Sequence, residues 1–160
     1  MEPRLETLAP KLLAGRSVNM CLANNQIPAL WQSFMPLRRH ITHTVGTDLY
    51  SLQVYNGQYS LATFTPNVMY TQWAAIEISQ AQNLPEGIST FELPGGLYAV
   101  FIHRGTPAAF PQTLQAIHNQ WLPTSGFAID NRPHFELLGA KYKNNHPDSE
   151  EEVWVPIVPN

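Results

Sequence analysis

Cysteine is nearly absent from this chain: Cys21 stands alone among 160 residues. No internal disulfide can form, which fits a reducing compartment and gives the expectation of a cytoplasmic protein. Basic charge is scarce as well, with nine Lys and Arg against twelve Asp and Glu and a net charge of −3. Nucleic-acid backbones are gripped by clustered Lys and Arg. The densest basic stretch, Arg38-Arg39-His40, is too short for that, so direct nucleic-acid binding is not expected. No apolar run approaches the ~20 residues of a membrane span. Met1 to Arg16 is interrupted by Glu2, Arg4, Glu6 and Lys11 and does not read as a signal peptide.

Several chemistries are excluded by missing motifs. The six histidines are scattered, and His40 and His43 lack the Glu of a zincin motif. Structural zinc wants three or four convergent ligands, so neither a metal nor another cofactor is expected. Gly95-Gly96 precedes a strand pattern rather than a helix, so it is no phosphate loop. No Gly-x-Ser-x-Gly elbow occurs. Cys21 has no local nucleophile motif and reads as a small buried hydrophobe.

What is present is enough for one domain with a real core: 44% of residues are hydrophobic, and no flexible linker interrupts them. We read residues 1–160 as one domain, with about residues 1–15 as an N-terminal extension. A strand over Ser17 to Ala23 is followed by Ile27, Leu30, Trp31 and Phe34 at helical spacing, with Asn24 or Asn25 as N-cap and Pro36 ending or kinking the helix. Leu49 to Tyr55 and Trp73 to Ile78 read as strands. The order then repeats: strand Gly96 to His103, helix from Thr106-Pro107 to about Leu122-Pro123, strand His134 to Tyr142, strand Glu152 to Val158. Two β-α-β-β units imply an α+β fold, with the sheets paired and both helices on one side.

The most informative segment is the tail, Glu150-Glu151-Glu152-Val153-Trp154-Val155. Strand side chains alternate faces, so Glu152 and Trp154 share one face while Val153 and Val155 share the other. A carboxylate beside an indole suits a cationic organic guest.

The order of these segments is also familiar. Pro94-Gly95-Gly96-Leu97-Tyr98, Trp121-Leu122-Pro123-Thr124-Ser125-Gly126-Phe127, Arg132-Pro133-His134-Phe135-Glu136 and Glu152-Val153-Trp154-Val155-Pro156-Ile157 resemble the GyrI-like small-molecule-binding domains, also called AraC-type effector-binding domains. The resemblance implies a duplicated βαββ fold with an antiparallel curved sheet and a ligand cavity where the units join. It implies an acidic residue before the closing strand, matched here by Glu152, and aromatic neighbours. Trp154, Trp73, Tyr98, Trp121 and Phe127 are the candidate ligand-binding aromatics. Trp121 belongs to a regular apolar helix stripe, which equally suits plain core. Glu77 and Glu136 read as strand-end surface residues, with Glu77 a second-tier pocket candidate. Glu150 and Glu151 read as surface.

Three functions follow as expectations. The favoured one is a stand-alone, multidrug-type binding protein for a cationic, aromatic small molecule, more a binding module than an enzyme. The second is a hydrolase of reactive cyclopropane-bearing genotoxins, with Glu152 as general base and Tyr98 assisting. The third is a transcription-regulation effector module or DNA gyrase modulator acting through a protein partner, either gyrase or a DNA-binding regulator.

Overall fold

A computed structural model describes residues 1–57, 59, 60 and 62–160. In chain order the elements are β1 (Arg4–Leu8), β2 (Lys11–Met20), α1 (Ile27–Arg38), β3 (Thr44–Tyr55), β4 (Tyr70–Ile78), β5 (Ser89–Leu93), β6 (Gly96–Arg104), α2 (Phe110–Gln115), α3 (Leu122–Ser125), β7 (Phe127–Ile129), β8 (His134–Leu138) and β9 (Glu150–Pro159). The strands form one antiparallel sheet in the order β1-β6-β9-β8-β3-β4-β2-β5, with β7 added beside β9. Two repeats are visible in it: β2-α1-β3-β4, and β6-α2-α3-β8-β9. They join where β3 pairs β8, with Leu52 opposite Phe135. The expected α+β duplication with two helical segments on one side is what the chain adopts.

Alternation decides which side chains meet the helices. On the helix side of one repeat, Leu30 and Phe34 of α1 pack on Ala14, Ala74, Ile76 and Ile78. On the helix side of the other, Ile117 packs on Ala99, Phe101, Val153, Val155 and Ile157. The opposite sheet face carries Leu13, Leu52, Trp73, Tyr98, Phe135 and Trp154, and no helix among the described residues packs in that cluster. Leu13, Leu52 and Tyr98 are nevertheless fully buried. That requires the sheet to curl, so that its own concave face supplies the cover. Truncating a buried ring such as Phe135 to alanine would cost about 3–5 kcal/mol.

The boundaries differ from the sequence reading in instructive places. The stretch expected as an extension supplies β1 and the first half of β2, with Arg4 to Leu8 pairing antiparallel to β6 as an edge strand. α1 runs through Pro36 to Arg38, since a proline in the last turn removes a single late donor. β8 stops at Leu138, short of the expected Tyr142. The second helical segment is irregular. A 3-10 turn at Pro107–Ala109 leads into α2, and a wide π-type stretch, Ala116–Trp121, separates α2 from α3. Pro123, which cannot donate to the helical ladder, sits just after the wide turn. Gly126 then ends α3 in the left-handed conformation (φ 81°) that glycine adopts without strain. Among the described residues, no helix is long and apolar enough to cross a membrane.

Candidate functional site

The six residues singled out by the tail and the resemblance do not converge. Glu152, Trp154, Trp73 and Tyr98 share the helix-free face of the sheet. There Trp154 donates its indole N–H to Glu152 Oε1 at 3.0 Å and stacks on Phe135 at 5.1 Å. Tyr98 donates its hydroxyl to the Pro133 carbonyl at 2.9 Å. Trp73 packs against Phe91. The other Glu152 oxygen accepts from Arg4 Nη2 at 2.9 Å, and the Arg4 guanidinium lies 5.7 Å from the Trp154 ring centre. Both acceptor atoms of Glu152 are therefore taken, and the aromatics behind it are close-packed. Trp121 and Phe127 lie on the helix side instead, stacked on each other at 6.2 Å, with Trp121 edge-on to Phe101.

The helix side holds a different constellation, over the seam between the repeats. Pairing of Gln53 with His134 and Gln72, of Ser51 with Glu136, and of Tyr55 with Tyr70 puts all seven on one face. Glu136 accepts from Gln53 Nε2 at 3.0 Å, and Gln72 donates to Ser51 Oγ at 2.9 Å. Aromatic rings pack around this polar strip. Tyr55 lies 4.7 Å from Tyr59, 5.4 Å from Tyr70 and 5.2 Å from His134, centre to centre. Tyr59 lies 4.9 Å from His134 and 5.8 Å from His118. Alongside runs a cleft of about 690 Å³ lined by Tyr59, His118, Leu122, Phe127 and Ile129. A second hollow, about 710 Å³ beside α1, presents Arg38 and Arg39, and no Asp or Glu side chain lines either hollow.

Charge pairing separates these regions. Among the described residues, six carboxylates are half-buried: Glu77, Asp130, Glu136, Glu150, Glu151 and Glu152. Four have cations: Lys11 on Glu77, Arg132 on Asp130, Arg104 on Glu150 and Arg4 on Glu152. Glu136 and Glu151 have none among the described residues. Burial, and then the charge of Glu151, push the Glu136 carboxyl up to about 8, while Gln53 and Ser51 pull it part of the way back by hydrogen bonding. Burial alone raises Glu151 to about 7. The neighbouring histidines supply no counter-charge. Burial lowers His118, and burial together with the positive charges of His118 and Arg132 lowers His134 to about 3, so the pair is neutral at pH 7. His118 Nδ1 and His134 Nε2 are buried without a hydrogen-bond partner. Burial, followed by the charge of Tyr59 and then of Glu136, raises Tyr55. Burial and then Glu136 raise Tyr70 to about 12, leaving both as neutral donors.

Two sequence expectations are corrected here. Glu136 lies in the middle of β8, half-buried and facing the seam, and not at an exposed strand end. Glu151 is half-buried and not on the surface. The signal for Glu151 was available: if Val153 and Val155 point to the core, period two sends Glu151 to the same side. Glu77 does keep a strand-end position, paired with Lys11. Among the described residues no group of three or more His, Cys, Asp or Glu is arranged to hold a metal ion.

Comparison with known proteins adds the family. The family model of the GyrI-like small molecule binding domain matches residues 1–158. The transcriptional regulator BrlR of Pseudomonas aeruginosa is 26% identical over 132 residues, which is 82% of this chain and 46% of that protein. The chain thus spans about half the length of that curated relative. Among solved structures, SAV2435 bound to tetraphenylphosphonium superposes with a TM-score of 0.76 at 18% identity, covering 99% of this chain and 94% of that one. A hydrolase from Listeria innocua superposes with a TM-score of 0.64 at 12% identity, covering 98% and 92%. At such identities the structural likeness speaks for the fold.

Proposed function

We propose, for a chain that belongs to the GyrI-like small molecule binding domain family, that its small-molecule ligand is an aromatic organic cation held over Glu136, on the helix side of the sheet at the seam between the repeats. The observation that carries this reading is a half-buried carboxylate with no cationic partner among the described residues, set between Tyr55 and Tyr70. Leaving such a group ionised inside a protein is costly, and an entering cation removes that cost. A charge-assisted hydrogen bond contributes about 1.5–3 kcal/mol, and a cation over an aromatic face about 0.5–2 kcal/mol. Micromolar affinity needs about 8 kcal/mol, so burial of the guest's apolar surface must supply most of it. That favours a large, flat or propeller-shaped cation over a small ammonium ion. The tetraphenylphosphonium bound to SAV2435 is such a molecule and is the natural first probe.

The test is tryptophan fluorescence and calorimetry with tetraphenylphosphonium on the wild type and on Glu136→Gln. Saturable binding that weakens at least about tenfold in the variant, or about 1.4 kcal/mol, supports the reading. Unchanged binding removes it.

A second reading puts the cation at Glu152, in exchange for Arg4. It is favoured by the affinity for a guanidinium that Trp154 and Glu152 already display. Under it, Trp73 and Tyr98 back the guest, and Glu152→Gln is the damaging variant. An effector role, in which the occupied domain signals to a DNA-binding partner, rests on the regulator relative. Ligand-dependent co-purification of such a partner is its test.

A further inference from the structure

The helix side of the sheet carries two half-buried acids, Glu136 and Glu151, with no Lys or Arg partner among the described residues. Glu136 of β8 is paired with Val153 of β9. Glu151 lies two residues from Val153 on the same strand and the same face. Diagonal neighbours on antiparallel strands lie about 7–8 Å apart. The two side chains therefore leave the same sheet face from separate, diagonally adjacent positions.

No Lys or Arg among the described residues is paired with either one, and the residue opposite Glu151 in the ladder is the buried His103, whose ring nitrogens contact Thr113 Oγ1 and the Thr106 carbonyl. Gln53, the hydrogen-bond partner of Glu136, is neutral, and so are the buried rings of His118 and His134. His134 is 8% exposed, sits two residues before Glu136 on the same face of β8, and has its Nε2 unpartnered. This third polar group, packed against Tyr55 and Tyr59, is independent of the acids. A guest with one positive charge would satisfy Glu136 and leave Glu151 buried and unpaired beside it. A single metal ion is a poor fit, because no third ligand joins the pair among the described residues.

We propose that the preferred ligand is an aromatic dication, with Glu136 holding one cationic group and Glu151 the other. Glu151 is then a specificity-determining residue for the same site. The inference rests on the binding reading above, and its test is built so that the two can fail separately.

The probes are benzamidine, with one amidinium, and benzene-1,4-dicarboxamidine, with two at opposite ends of one ring. Each is titrated calorimetrically into the wild type, Glu136→Gln and Glu151→Gln, after thermal melts establish that the variants are folded. The dication should bind the wild type at least about tenfold more tightly than the monocation. Glu151→Gln should cancel that preference without weakening benzamidine, because it removes a charge that disfavours ionised Glu136, and Glu136→Gln should weaken both. Equal affinity of the two probes, or a Glu151→Gln loss shared equally by them, overturns the dication inference and leaves the cation reading standing. If neither probe's affinity responds to Glu136→Gln, the binding reading itself fails. Displacement of the bis-amidine by Ca²⁺ or Zn²⁺ at micromolar concentration would overturn the organic dication in favour of a metal.

Discussion

Glu151 and Glu152 are neighbours in the chain and opposites in the fold. Glu152 faces the helix-free side, where Arg4 and the Trp154 indole take its two oxygens and packed aromatics close the space behind it. Glu151 faces the helix side with Glu136, and no Lys or Arg among the described residues is paired with either. An aromatic neighbour therefore does not by itself mark a binding carboxylate, because both regions are rich in rings. The distinguishing property is the missing counter-charge. A carboxylate that is already paired stabilises the fold, whereas one buried without a partner strains it and waits for a ligand.

Stability against pH sharpens this contrast most. Burial pushes the Glu136 carboxyl up to about 8 from its ordinary 4.5, so folding favours the protonated form. Its contribution is fully present below about 4.5 and is lost as pH rises through 8. Denaturant melts should show the wild type losing on the order of 1–3 kcal/mol between pH 5 and 9. Glu136→Gln should flatten that slope and be the more stable protein at pH 9. Glu152→Gln should not, since it leaves Arg4 without its partner. A Glu136→Gln protein that melts earlier than wild type at pH 9 would break the comparison.

Ligand affinity should follow the same titration with the opposite sense. A cation prefers the ionised site, so its affinity should rise between pH 6 and 8. The rise should approach about tenfold per pH unit while Glu136 is still mostly protonated. The groups facing that carboxyl are Gln53, Ser51, Tyr55, Tyr70 and Glu151. Of these, Glu151 is the second group that titrates in the window. Calorimetry at four pH values checks this, and a flat profile counts against ionisation at the site.

The smallest effect belongs to the clamp. Arg4→Ala opens a half-exposed ion pair, and such pairs contribute about 0–1 kcal/mol. Thermal stability should fall by no more than that, with cation affinity within about twofold of wild type. A gain in affinity on removing Arg4 would move the site to Glu152 and Trp154.

Much of the fold was legible because alternation and helical spacing report burial directly. The two repeats, both helical segments and the closing strand can be read from apolar residues such as Leu30, Phe34, Val153 and Val155. Strands β1, β5 and β7 were missed, being short, with β1 and β5 at the sheet edges, where exposure blurs the pattern. The site was less legible. Trp154 and Glu152 do share a face as alternation requires, but which face meets a cleft depends on which side the helices cover. Glu136 was hidden for a related reason: its partners Gln53, Tyr55 and Tyr70 come from strands far away in sequence, and the absence of a counter-charge shows only once the chain is folded.

The most direct measurement is the carboxyl ¹³C chemical shift of Glu136, titrated by NMR with and without tetraphenylphosphonium. The account predicts a midpoint near 8 in the free protein and a marked downward shift when the cation is bound. A midpoint near 4.5, or a raised midpoint that the bound cation leaves unmoved, would contradict it.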